Sequence, residues 1–580
     1  MADIFGIDLG TTNSCIAWLE DGVPKVLTID NGRTVPSVIS FEGDDVLVGT
    51  RAANRAVVFP EDTVASVKRS MGIEPEIEVA GRALPPEEIS SFILRYLKHE
   101  GGRAAGRDVT RVVITVPAYF SDVQRRLTRE AGEMAGLKVE RIINEPTAAA
   151  LFYDLTLPER ERGKEKNVLV YDLGGGTFDV SVLRMGEIIE VQASTGDTAL
   201  GGDDFDRVIM DKCLEKIRTE TKQDLSTHKP ALARLRMAAE KAKITLSTKV
   251  DVSIEEDLLP VPEGDPVSLR LDISREELES WIAPFLTRTA EEMEKALDEA
   301  GVASDDIDQC ILVGGSTRIP AVMSVLEEVF GPARLPVVDP DLCVAMGAAV
   351  QGGIISGEHC GQVLVDVTAH TLGTKALTET GAGHELRVVP IIPRNTQIPV
   401  FRASRFATMY ENQKRIVCSV FQGESSLPEE CTLIGELDLQ LVPAPENCPL
   451  IIEYGYDLDG IIHVRVEQQG YGRIREVDFS AHKQGQSALE VDFMDTGDLE
   501  DEDVIDIDVE DSAEKEKDTS QVTNFILQKG RKLAETLTGE ERQIIDGLLA
   551  AYADALTSGE EDLVDDTEEA LVDFMDEIEE

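Results

Sequence analysis

The chain has 580 residues, more than one hydrophobic core can organise, so three or four domains are expected. Its 42% hydrophobic and 29% charged residues are those of a globular protein, and no apolar run approaches the roughly 20 residues that span a bilayer, which argues against a membrane protein. A formal net charge of −54 would repel a phosphodiester backbone, which argues against nucleic acid as a partner. The first seven residues carry neither a basic nor an apolar leader segment, so a cytoplasmic location is expected. Eight cysteines lie scattered without a Cys-x-x-Cys pair and read as reduced, mostly buried thiols.

In chain order, an apolar strand over 4–7 runs into Asp8-Leu9-Gly10-Thr11-Thr12-Asn13. A strand over 112–116, a helix over 121–135 and a strand over 138–143 follow, which is an α/β pattern. A second apolar strand over 168–171 then runs into Asp172-Leu173-Gly174-Gly175-Gly176-Thr177. One glycine turn is usually only a tight turn, but two in matched strand contexts imply an internal duplication, two lobes and a phosphate-binding cleft between them. Glycine lets backbone N–H groups approach a phosphate, and the threonines add hydroxyls. Each turn keeps an aspartate ahead of its glycine, and two such carboxylates suit Mg²⁺ held through its waters. Neither a P-loop nor a dinucleotide fingerprint is present.

A third turn, Gly314-Gly315-Ser316-Thr317-Arg318, follows a strand and is expected to open a helix, with Arg318 placed to stack its guanidinium on a base. After residue 361 the texture changes to short alternating strands, such as 415–421 and 460–466, which predict an antiparallel β domain up to about 486. Residues 491–580 hold 31 acidic and 6 basic residues, a net of −25, so nearly half of the excess charge sits in under a sixth of the chain. Within that tail, 498–518 reads as an acidic tether and the apolar spacing beyond it as a small helical bundle.

The three glycine turns and Glu240-Lys241-Ala242-Lys243-Ile244-Thr245-Leu246-Ser247 resemble those of the DnaK-type heat-shock chaperones, the heat shock protein 70 family, over residues 1–486. The resemblance implies a multidomain chain: an actin-like α/β ATPase of two duplicated lobes (1–361), a linker (362–366), an antiparallel β-sandwich for peptide (367–486), an acidic tether (487–518) and a helical lid-like bundle (519–580). It implies ATP and Mg²⁺ as cofactors. Asp8, Gly10, Thr11, Thr12 and Asn13 would form the first phosphate site, and Gly174, Gly175, Gly176 and Thr177 the second. Glu240, Lys243, Ser247, Gly314, Gly315, Ser316, Arg318 and Asp341 would surround the adenosine. Asp8, Glu145 and Asp172 would hold the metal, and Lys68, Glu145, Asp172 and Thr177 would carry catalysis. Taken alone, Lys68 reads as a solvated surface lysine.

Val363, Leu364, Val365 and Asp366 resemble the family's interdomain linker, which docks as an added strand when ATP is bound. Their plainer reading is the first strand of the next domain. Thr374, Leu377, Phe406, Met409, Ile416 and Cys418 match the family's peptide channel, although periodicity alone reads such a stripe as sandwich core. Two features depart from the family: His370 and Thr374 stand where apolar residues are usual, and the acidic run replaces the first lid helices, leaving a shortened lid. The implied function is an ATP-dependent chaperone for unfolded or extended polypeptides, working with a J-domain co-chaperone and a nucleotide-exchange factor. The competing readings are a client-restricted paralogue and a small-molecule kinase of the actin-like superfamily.

Overall fold

A computed structural model of the chain describes residues 4–186, 188–262, 265–335, 338–358, 363–380, 383–457 and 461–479, with isolated helical positions between 542 and 567. Two sheets repeat one plan. In the first, Ile4–Asp8 pairs in parallel with Arg111–Val116 and antiparallel with Asn13–Glu20, and the sheet runs from Lys138–Asn144 to Val23–Val26. In the second, Lys166–Leu173 pairs in parallel with Gln309–Val313 and antiparallel with Phe178–Met185, and Ile188–Asp197 follows. These strands are apolar on both faces because helices cover both, which is why they read as runs rather than alternations.

Two helices built of small residues, Glu145–Thr156 and Cys343–Ile355, pack between the sheets. Their backbones approach so closely that a Cβ on Gly347 would lie 1.7 Å from the carbonyl oxygen of Ala148, and one on Gly6 would lie 2.2 Å from the amide nitrogen of Ala349. A methyl at either position would force these backbones apart, and overpacking of this kind costs about 1–3 kcal/mol. The core here mixes Ile4, Val113 and Ile143 of one lobe with Val168, Val170 and Ile311 of the other. The helix expected over 121–135 runs Asp122–Met134, started by Ser121, whose side chain accepts from the Gln124 amide while Gln124 reaches back.

The β domain is a sandwich of two four-stranded antiparallel sheets. One runs Gly383–Ile392, Leu372–Thr380, Arg415–Gln422, Thr432–Gln440; the other runs Val400–Ala407, Pro449–Tyr456, Ile462–Gln468, Arg473–Asp478. Alternate residues such as Leu450, Ile452 and Tyr454 point inward, as two facing sheets require. The actin-like lobes and the sandwich are therefore as the resemblance implies.

Val363–Val367 is a strand with two partners. It extends the second ATPase sheet by pairing in parallel with Ile188–Asp197, and its end pairs antiparallel with Gln397–Ile398 of the β domain. Both readings of this segment thus describe one strand. The third glycine turn follows the strand Gln309–Val313 and leads through a 3₁₀ turn, Gly315–Arg318, into the α-helix that begins at Pro320, as expected.

Residues 509–580 form a separate compact unit. In it Ile545, Leu549 and Tyr552 are helical and buried at the spacing of one helix face. The acidic tether and the rest of the bundle lie outside the described residues. Seven cysteines are described, all free, and all but Cys431 are buried. Among the described residues no helix is long and apolar enough to cross a membrane.

Candidate active site

Both phosphate turns are hairpin loops, and they face each other across one cleft. A Cβ on Gly175 would lie 1.9 Å from the Thr12 hydroxyl, and one on Gly176 would lie 2.6 Å from the Thr11 methyl. The cleft, about 1370 Å³ and open to solvent, is lined by every residue expected at the phosphate, metal and adenosine positions except Gly176. Gly176 instead packs behind, against Thr11 and Arg69.

The catalytic candidates meet at the cleft floor. Lys68 is only 3% exposed and its Nζ donates to Glu145 Oε1 at 2.5 Å, which corrects the surface reading of this lysine. The cause is local. Ser66 adopts φ 56°, an uncommon conformation away from glycine, which turns the Val67–Ser70 segment inward. The Ser66 hydroxyl is held by donating to Asp203 Oδ2 at 2.7 Å on the opposite lobe.

Around Lys68 stand four carboxylates, Glu145, Asp172 and Asp179 buried and Asp8 half-buried. Burial, then the charge of Glu145, pushes the Asp8 carboxyl up to about 7, against the pull of Lys68 and a 3.3 Å hydrogen bond from Thr115. Burial and Glu145 likewise push Asp172 well above the usual carboxylate range. Asp179 rises to about 7 for the same reasons, although it accepts from the Tyr119 amide at 2.9 Å. This is a pocket with more negative charge than its lysine balances, and a bound cation would relieve it. Among the described residues no three His, Cys, Asp or Glu side chains converge closely enough to cage a metal unaided. That suits Mg²⁺, which keeps several waters and binds through one or two carboxylates plus phosphate oxygens.

Of the residues expected around the adenosine, Glu240, Lys243 and Ser247 share one face of the helix Lys229–Leu246 and its cap, three and four residues apart. Lys243 donates to the Gly202 carbonyl at 2.9 Å and to Asp206 Oδ2 at 2.8 Å. Burial still pushes the Asp206 carboxyl up to about 6 despite that ammonium. Opposite, the Arg318 guanidinium bonds Asp341 at 2.8 Å and Asp339 at 3.1 Å, which fixes its plane while leaving the side chain half exposed. Gly314 sits at φ 81°, and a Cβ there would lie 2.3 Å from the Leu173 carbonyl oxygen, so only glycine fits.

The sequence reading missed Thr34, Asp203, Asp206 and Ile244, which also line the cleft. A signal existed for two of them. Gly201 and Gly202 open the helix Gly202–Thr221 directly ahead of Asp203 and Asp206, a fourth glycine turn. The Gly202 and Asp203 amides donate to the carbonyls of Gly174 and Gly175 at 3.0 and 2.7 Å.

The six peptide-channel candidates are not gathered in one opening. Thr374, Phe406, Ile416 and Cys418 are buried in the sandwich, where Thr374 Oγ1 lies 3.7 Å from Cys418 Sγ and Cys418 Sγ lies 3.7 Å from the Tyr454 hydroxyl. Leu377 and Met409 are half-buried. Leu364 packs against the inter-lobe core, and Asp366 accepts from Asn144 Nδ2 at 2.8 Å and Thr147 Oγ1 at 3.3 Å.

A two-lobed nucleotide cleft joined by a shared strand to a β-sandwich defines the class: an ATPase coupled to a second binding domain. A family model described as Hsp70 protein matches residues 4–78 and 74–580. The proteins named "Chaperone protein DnaK" of Thermotoga petrophila and Thermotoga maritima are each 44% identical over 481 residues, covering 81% of this chain and 79% of theirs. The chain belongs to the Hsp70 family. It is an ATP-dependent chaperone and an ATPase, and the matches give no support to the kinase or client-restricted readings.

Proposed function

We propose that hydrolysis in this cleft opens and closes a peptide site in the β-sandwich, and that the chain does this in the cytoplasm with Mg²⁺, a J-domain co-chaperone and a nucleotide-exchange factor. The observation that carries this reading is Asp366. It closes the shared strand and is bonded by Asn144 and Thr147, which flank the cleft carboxylate Glu145 in sequence. A change at Glu145 therefore reaches the sandwich in one step of hydrogen bonding.

Phosphoryl transfer depends mainly on positioning and charge neutralisation, and each residue has a part suited to it. Lys68 neutralises charge on the transferred group. Glu145, Asp172 and Thr177 orient the attacking water. The Gly10 and Gly174 turns present amides to the phosphates, and Arg318 covers the base with Glu240, Lys243 and Ser247 alongside. Asp8, Glu145 and Asp172 would hold Mg²⁺, which when bound would neutralise charge on the phosphate oxygens. The half-buried Leu377 and Met409 contact an extended client, and the buried Thr374, Phe406, Ile416 and Cys418 support the sandwich behind them. In this reading 1–361 is the ATPase, 362–366 the linker, 367–486 the peptide domain, 487–518 the tether and 519–580 a shortened lid.

Steady-state ATP turnover of the full chain, with and without an unfolded peptide and a J-domain protein, tests the reading. Stimulation by both is expected. Turnover that responds to neither would sink it.

A further inference from the structure

Lys68 is held from both sides by the opposite lobe. Its own segment is rooted in the first lobe, where Val67 is buried in the core. The residues flanking Val67 and Lys68 reach across the cleft. Ser66 donates to Asp203 Oδ2 at 2.7 Å, and Arg69 Nη2 donates to Asp204 Oδ1 and Oδ2 at 3.3 and 3.2 Å. Asp203 and Asp204 stand in the first turn of the helix Gly202–Thr221, which is fastened to the second phosphate turn by the bond from the Asp203 amide to the Gly175 carbonyl. The Arg69 side chain lies along that same turn, since a Cβ on Gly176 would sit 2.8 Å from its Cγ.

The tie at Ser66 is built around its hydroxyl. Arg236 Nη2 donates to Ser66 Oγ at 2.9 Å and to Asp203 Oδ2 at 3.3 Å, so the hydroxyl accepts from one partner and donates to the other. Neither alanine nor glycine can do both. Glycine would take φ 56° freely, whereas serine is strained there and its bonds must offset the strain. The Asp203 side chain is only 13% exposed, a setting in which a charge-assisted hydrogen bond is stronger than on the open surface. A second cross-lobe pair, Lys229 with Glu61, sits at the rim with both side chains 62% exposed, where an ion pair contributes little.

From this geometry we infer that Ser66 is a positioning residue that makes hydrolysis conditional on lobe closure: its tie to Asp203 and Arg236 sets Lys68 against Glu145 while the lobes are together, and their parting frees the nucleotide and withdraws the lysine in one movement. The inference rests on reading Lys68 as the group that neutralises charge on the transferred phosphoryl. The nucleotide then leaves only from a cleft whose lysine is out of place, so opening for exchange and hydrolysis exclude each other.

The test measures single-turnover hydrolysis at saturating ATP and ADP dissociation, both on the full chain. Ser66→Gly keeps the backbone conformation and removes the hydroxyl. It should slow hydrolysis and speed ADP dissociation, each by about three- to tenfold, the effect of one hydrogen bond net of water. Arg236→Met, at a half-exposed position, should move both rates in the same directions by less, and it carries the test should Ser66→Gly fail to fold. Lys229→Met should leave hydrolysis within about twofold of wild type. Adding Ser66→Gly to Lys68→Ala should slow hydrolysis no further, because the group being positioned is already gone.

Wild-type hydrolysis in both Ser66→Gly and Arg236→Met overturns the positioning role, and unchanged ADP dissociation in both overturns the link to release. Equal slowing by Ser66→Gly with and without Lys68 would mean that the tie does not act through the lysine, and the inference falls. So it does if Lys229→Met slows hydrolysis as much as Ser66→Gly. Near-normal hydrolysis by Lys68→Ala would sink the reading of the lysine and this inference together, whereas slow Lys68→Ala beside wild-type Ser66→Gly and Arg236→Met sinks the tie alone.

Discussion

The two ATPase lobes follow one sheet plan, but their phosphate turns are built differently. The first spends a single glycine, Gly10, and puts side chains Thr11, Thr12 and Asn13 into the cleft. The second has three glycines in a row. Within that run Gly175 and Gly176 lie under Thr12 and Thr11, so their missing side chains are what lets the lobes close. The sheets differ at their edges too. The first ends at Val23–Val26, whereas the second continues through Ile188–Asp197 to Val363–Val367 and on to the sandwich. A duplicated fold has thus been made asymmetric where the lobes touch and where the second domain attaches.

The largest effect is expected where the two lobes share one charge pair. Lys68 comes from the first lobe and Glu145 from the helix that links it to the second. Lys68→Ala should slow single-turnover hydrolysis by about 10²–10³-fold, the loss typical of removing one group that stabilises a transition state. ATP affinity should hold, because the turns and the adenosine pocket are untouched. A variant that still hydrolyses within about threefold of wild type would take Lys68 out of the chemistry.

Next comes the asymmetric edge. Leu364→Asp places a carboxylate against the apolar core between the lobes, where an unpaired charge is strongly disfavoured. Coupling between distant sites usually amounts to about 5–150-fold in affinity, and this variant should lose it, so that ATP no longer accelerates peptide release. Measuring peptide dissociation with and without ATP decides the matter. An undiminished ratio would mean that the strand is a passenger.

How far these features were legible from sequence depends on whether the signal was local. Paired turns in matched strand contexts are local, and they yielded the duplication and the two facing glycine turns, whereas most of the remaining cleft residues came from the family resemblance. Glu240, Lys243 and Ser247 came from the family resemblance, and the helix Lys229–Leu246 with its cap puts them on one face. Lys68 was not legible, because its burial depends on Ser66 at positive φ held by Asp203, 137 residues away. The channel stripe was ambiguous for the same reason. Alternation marks Phe406, Ile416 and Cys418 as inward-facing, but the same pattern serves a core and a channel. His370 was visible only as a departure from the family, because its contact, the Tyr119 carbonyl, lies 251 residues away.

The glycine run offers the finest test of the difference between the turns. Gly175→Ala forces a methyl onto the Thr12 hydroxyl at 1.9 Å, so overpacking of about 1–3 kcal/mol should lower the melting temperature by a few degrees and weaken ATP binding about tenfold. Thr12→Ala removes that hydroxyl, leaving the Thr12 Cβ at 3.1 Å, so the double variant should melt above Gly175→Ala alone. Gly174 differs although it is the adjacent residue. A Cβ there meets the Thr177 carbonyl oxygen at 3.6 Å and its hydroxyl at 4.0 Å, both ordinary contacts. Gly174→Ala should therefore leave the ATP-free melting temperature within about one degree of wild type, as for substitutions that disturb no packing, while weakening ATP through the methyl in the cradle. If Gly174→Ala destabilises the ATP-free protein as much as Gly175→Ala does, the run is a structural turn throughout, and the division between a phosphate glycine and lobe-closing glycines fails.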